Sequence, residues 1–152
     1  MQSMRTPILA AVALSLTGCT PSWPADEFPA EAKVERTLFA EGQSGLGEGC
    51  EALVVELTDS AATLLTKMRS SKGTVELVPP AVWQPTPMPF DPKAHTYFDG
   101  AFNGCNNEGR QPIGDLPGAL RRPGAFYRVI NLGEGIAIIV PYAKLAGYFY
   151  EG

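Results

Sequence analysis

The 152-residue chain is predicted to fold as α+β, a small antiparallel sheet with one packed amphipathic helix and long Pro/Gly loops. Three observations lead there. EALVVEL at 51–57 has the β-branched, mostly apolar makeup of a buried strand, and an apolar helical stripe follows it directly. FYRVIN and IAIIV flank the glycine-bearing turn LGEG, a hairpin signal. The 14 prolines and 16 glycines fall largely in connecting stretches, six of the prolines within 79–92. A β-rich barrel or sandwich with one helix is the nearest alternative.

The first element is not part of the fold. Arg5 precedes an uncharged, apolar run from Pro7 to Leu16. That run is about half the length an α-helix needs to cross a bilayer, and its pattern is that of a secretory signal. It ends Leu16-Thr17-Gly18-Cys19, which resembles the lipobox of bacterial lipoproteins. The resemblance implies cleavage before Cys19, a diacylglycerol on its thiol and an acyl chain such as palmitate on its amine. Two or more chains give stable anchoring, since each buried CH2 contributes about 0.8 kcal/mol. Thr20 stands where Asp would signal inner-membrane retention, so the resemblance implies an envelope protein on the outer membrane, facing the periplasm.

Residues 1–18 are therefore read as a removed signal peptide, 19–33 as a lipidated tether and 34–152 as one globular domain. The signal carries one cation and no acid, which leaves the mature chain one unit more negative than the formal −4 of the whole. That balance argues against nucleic acid, which requires clustered Lys and Arg. It argues equally against a polybasic grip on lipid. Of three cysteines, Cys50 and Cys105 remain for an oxidising compartment, where pairing is the expectation. Their bridge would close a loop of about 56 residues and stabilise by about 4 kcal/mol on the chain-entropy account. Neither cysteine sits in C-x-x-C, and no second pair offers a tetrahedral zinc site.

The tether TPSWPADEFPAEAK holds three prolines and several acids. Extended at about 3.1 Å per residue, it would hold the domain on the order of 40 Å from the membrane. EAKVERTLFAEG reads equally as a short helix or a first strand. After EALVVEL, Thr58-Asp59-Ser60 can cap a helix over about 59–71, with Ala61, Leu64, Leu65 and Met68 on one stripe. Lys67, Arg69 and Lys72 suit its last turn, and Gly73 its end. TVELV at 74–78 is a candidate returning strand. Prolines at 85, 87 and 89 remove backbone donors, so 79–92 is predicted as a polyproline-like or ordered loop pinned by Trp83 and Phe90, not a central strand. Residues 99–124 read as a long loop tied down by Cys105, and GYFYE as a last strand or an edge.

Catalytic patterns are weak. Asp91, His95 and Asp99 recur every four residues, but Pro92 argues against a continuous helix, so His95, the only histidine, reads as a surface loop residue. Residues 99–110 have a calcium-loop flavour, yet Arg110 stands where the bidentate Glu is needed. Ser44 in GQSGLG fails the nucleophile-elbow register, which leaves a Ser44–His95 pairing as a minor reading. No cofactor and no metal is predicted. The preferred function is a non-catalytic envelope lipoprotein whose surface near Trp83, Tyr97, Asn106 and Arg110 binds a periplasmic protein, peptide or glycan. A small envelope hydrolase, working through paired carboxylates or Ser44–His95, and an enzyme inhibitor presenting the loop held by Cys105 are the alternatives.

Overall fold

A computed structural model describes residues 23–44, 49–72, 75–76, 82–89, 102, 105 and 114–152. Its strands are β1 (Val34–Ser44), β2 (Gly49–Leu57), β3 (Val75–Glu76), β4 (Val82–Pro85), β5 (Phe126–Ile130), β6 (Gly135–Val140) and β7 (Leu145–Glu151). The helices are α1 (Asp59–Lys72) and α2 (Leu116–Leu120). The strands lie in the order β1-β2-β7-β6-β5-β4-β3, every pair antiparallel. Six strands in one sheet, with the two-residue β3 beside β4, exceed the four or five expected, so the sheet dominates the α+β architecture.

The strand reading of VERTLF prevails over the helix. Its alternation is loose because the register against β2 slips twice, between Val34 and Arg36 and between Thr37 and Phe39. Each irregularity shifts which residues face the core. The strand-to-helix unit forms as the sequence indicates. Thr58 Oγ1 accepts the Ala61 N–H at 3.2 Å, and Ala61 and Leu65 are buried against the sheet. Leu64 is a correction to the stripe, for at 46% exposure it lies on the outer rim.

Period-two alternation divides the core between two faces of the sheet. On the first face Leu53, Val55 and Leu57 of β2, Phe126 of β5, Ala137 and Ile139 of β6 and Ala146 of β7 lie beneath α1, Trp83 and Phe28. On the second, Ala52, Val54, Ile136, Ile138 and Phe149 lie beneath α2 and Phe102. Because both faces are covered, all six residues of β6 are buried, and its sequence is a continuous apolar run rather than an alternating one. At Gly147 a Cβ would meet Phe149 Cε2 at 2.6 Å and Leu116 Cδ1 at 2.9 Å. Only glycine lets α2 lean this close to β7.

Three expectations change. The tether does not run free to residue 33: Phe28 is 2% exposed, Ala32 is buried, and the Trp23 ring lies 3.9 Å from that of Phe28. The prolines and acids of this stretch mask aromatics that have a sheet face to cover. Residues 82–85 are not loop but a short strand paired on both sides. The proline argument fails because β4 uses Val82 and Trp83 toward β3, and Gln84 and Pro85 toward β5, so neither ladder is long enough for the missing donors to matter. Just past the strand, Thr86 is buried, donating to the Ala125 carbonyl (3.2 Å) and accepting from the Ala125 N–H (3.0 Å); Thr86-Pro87 is cis. Within 99–124, Leu116–Leu120 is helical, its first turn closed by Asp115 Oδ1 accepting from Gly118 N–H at 2.9 Å. Of the two readings of GYFYE the last strand holds: it lies in β7, between β2 and β6 and not at an edge.

Candidate functional site

The paired cysteines lie on the second face. Cys50, in β2, and Cys105 are bonded, with an S–S distance of 2.18 Å and Cα atoms 5.4 Å apart. Of the residues expected to form a partner surface, Trp83 is corrected: it is 1% exposed, with the Phe28 ring 5.6 Å away, and no partner reaches it. A large indole on a strand between two others is worth more as core than as surface. Tyr97, Asn106 and Arg110 lie outside the described residues, as do Asp91, His95, Asp99, Phe90 and Cys19. Ser44 ends β1, its backbone opposite Gly49.

The structure instead brings together a polar patch on the first face that the sequence reading did not single out. The antiparallel register aligns Arg128 of β5, Ala137 of β6 and Tyr148 of β7 in one row across the sheet. One step along, Tyr150 stands beside Gly135 and Glu51. With small residues on β6, little side chain separates the arginine from the tyrosines. Arg128 Nη1 lies 2.9 Å from Glu27 Oε2 and donates to the Glu27 carbonyl at 3.3 Å, which clips the amino-terminal segment onto β5. Tyr150 Oη and the Glu134 carboxylate converge beside Gly152.

Electrostatics fix what this patch can do. Half-burial, followed by the carboxylates of Glu51 and Glu27 and by Tyr150, pushes the Tyr148 phenol up to about 12. It therefore stays protonated through the physiological range, a hydrogen-bond donor with an apolar ring and not a base. Arg128 supplies further donors, and Glu27, Glu51 and Glu134 supply acceptors. The set can orient a ligand carrying oxygens and apolar surface, and it holds no nucleophile paired with a base. Among the described residues no group of three or more His, Cys, Asp or Glu could hold a metal ion. The one signal that could have found the patch is the alternation in GYFYE, which places Tyr148 and Tyr150 on one face and Phe149 on the other. Compared with protein-family models, curated proteins and solved structures, the chain matches none, so its reading rests on its own sequence and geometry.

Proposed function

We propose that this chain is a lipid-anchored envelope protein, held through Cys19 at the outer membrane facing the periplasm, whose domain binds a protein, peptide or glycan partner without transforming it. The observation that carries the binding part is the protonated, half-buried Tyr148 set between Tyr150 and the Arg128–Glu27 pair. Tyrosine and arginine are among the residue types that contribute most where proteins recognise partners, because each offers a large face with a polar end. The lipobox Leu16-Thr17-Gly18-Cys19 and the paired cysteines support the address.

The test is in-cell photocrosslinking from position 150, with position 63 on the exposed side of α1 as control. A discrete adduct from 150, absent from 63 and lost when Tyr148 is changed to Ala in a variant that still unfolds cooperatively, is the expected result. A folded protein giving no adduct from 150 overturns the binding site.

A further inference from the structure

The packing of residues 23–33 shortens the leash between lipid and domain. Trp23 already stacks on Phe28, and Glu27 is clipped to Arg128 in mid-β5. That leaves Cys19 to Ser22, four residues, as the span between lipid and packed chain. Fully extended they reach about 14 Å, not the 40 Å of a free tether. An anchored domain so held stays close to the bilayer, within reach of its projecting side chains.

The two hairpin turns offer contrasting candidates. At the β6–β7 turn Lys144 takes a left-handed φ of 54°, but the strain has local compensation: its ammonium pairs with Asp59 and its carbonyl accepts the Leu57 N–H at 2.7 Å. Tyr142 is exposed beside that ion pair. At the β5–β6 turn Leu132 also takes a left-handed φ, 56°, which an L side chain adopts reluctantly, and it projects wholly into solvent. Among the described residues nothing repays either the conformation or the exposure. Val129, on the adjoining strand, is a second exposed apolar side chain. β5 ends two residues past Arg128, where the amino-terminal segment is clipped, and Leu132 follows in the turn, so clip and tip are four residues and at most about 13 Å apart. The tip thus lies no farther from the clip than the leash is long.

We propose that the β5–β6 tip, led by Leu132, is the membrane-contacting point of the anchored domain, inserting an apolar side chain among the lipid headgroups beside its own acyl anchor. This rests on lipidation of Cys19. The chain is acidic and Glu134 adjoins the tip, so the contact is apolar insertion and not electrostatic adsorption. α1 and the Tyr142 turn then face away from the bilayer.

The experiment uses the full chain purified from membranes and reconstituted into phosphatidylethanolamine/phosphatidylglycerol vesicles. An environment-sensitive fluorophore is placed at Leu132→Cys or, as control, at Tyr142→Cys. Intact mass is recorded first, so that the anchor is scored separately from the contact. The expected result is a diacylglycerol-bearing chain whose 132 probe is blue-shifted and quenched by lipid-borne quenchers, while the 142 probe reads water. A lipidated chain with water at 132, or quenching at 142 alone, overturns the contact and leaves the anchor standing. A probe at 132 that shifts only when soluble periplasmic protein is added overturns it in favour of a protein partner. A mass without lipid overturns anchor and contact together.

Discussion

On the first face of the sheet the covering elements, α1 and residues 23–33, bring their own apolar side chains and pack without a covalent tie. On the second face the cover of α2, Phe102 and Cys105 is bonded to β2 through Cys50. A 14-residue helix presents a continuous stripe and can roof a sheet by burial alone. The Gly- and Asn-rich stretch around Cys105 has too few apolar side chains for that, and a cross-link lowers the entropy of its unfolded alternatives instead. Among the described residues, Phe102 adds an apolar contact to this cover, its ring 4.5 Å from that of Phe149. The lesson is that the two roofs should fail independently.

The largest expected effect tests the unbonded roof. Trp83→Ala removes an indole enclosed by the first face and should cost near the upper end of the roughly 3–5 kcal/mol range for large aromatic truncations, read by urea unfolding. Changing Cys50 and Cys105 together to Ser should cost about 4 kcal/mol. Both tryptophans of the chain lie on the first face, so native emission should not move in that variant. A red shift before global unfolding would mean that the faces are coupled, and the comparison breaks. Thr86→Val, which leaves the Ala125 N–H without its side-chain acceptor at the start of β5, should cost about 2 kcal/mol by the same assay.

Alkaline titration gives a smaller signal. The folded Tyr148 phenol, at about 12, is above its ordinary 10.0, so the folded chain keeps a proton that the unfolded chain releases. Its contribution is complete below pH 10 and fades as pH climbs toward 12. After discounting for solvent at a half-exposed group, Tyr148→Phe should flatten that limb by about 1 kcal/mol. Smallest is Arg36→Ala on β1, whose exposed pair with Glu56 at 2.6 Å should be worth less than about 1 kcal/mol in thermal unfolding.

What the sequence made legible is what depends on neighbours a few residues away. The Thr58 cap, the Ala61 and Leu65 stripe and the β5–β6 hairpin all form as their local pattern dictates. What stayed hidden depends on contacts set by the sheet as a whole. Trp23 and Phe28 sit among acids and prolines, and contacts from across the fold, the Trp83 ring among them, bury Phe28 and half-bury Trp23. β4 is strand because β3 and β5 each need only two of its residues. Arg128 and Tyr148 are twenty residues apart in the chain, yet one small alanine in β6 places them in the same row. A period-two reading gives the face of a residue but not its register.

The position of β7 has a consequence for how the chain acquires its structure over time. β1 with β2, and β5 with β6 and β7, are each ladders of near neighbours that can zip early. The two ladders join where β7 docks on β2, roughly a hundred residues upstream, and that closure carries a large loop-entropy cost. Because a chain is synthesised amino terminus first, β2 waits with an open, hydrogen-bond-hungry edge until Leu145–Glu151 emerges. Until then it is at its most exposed to mispairing with other chains.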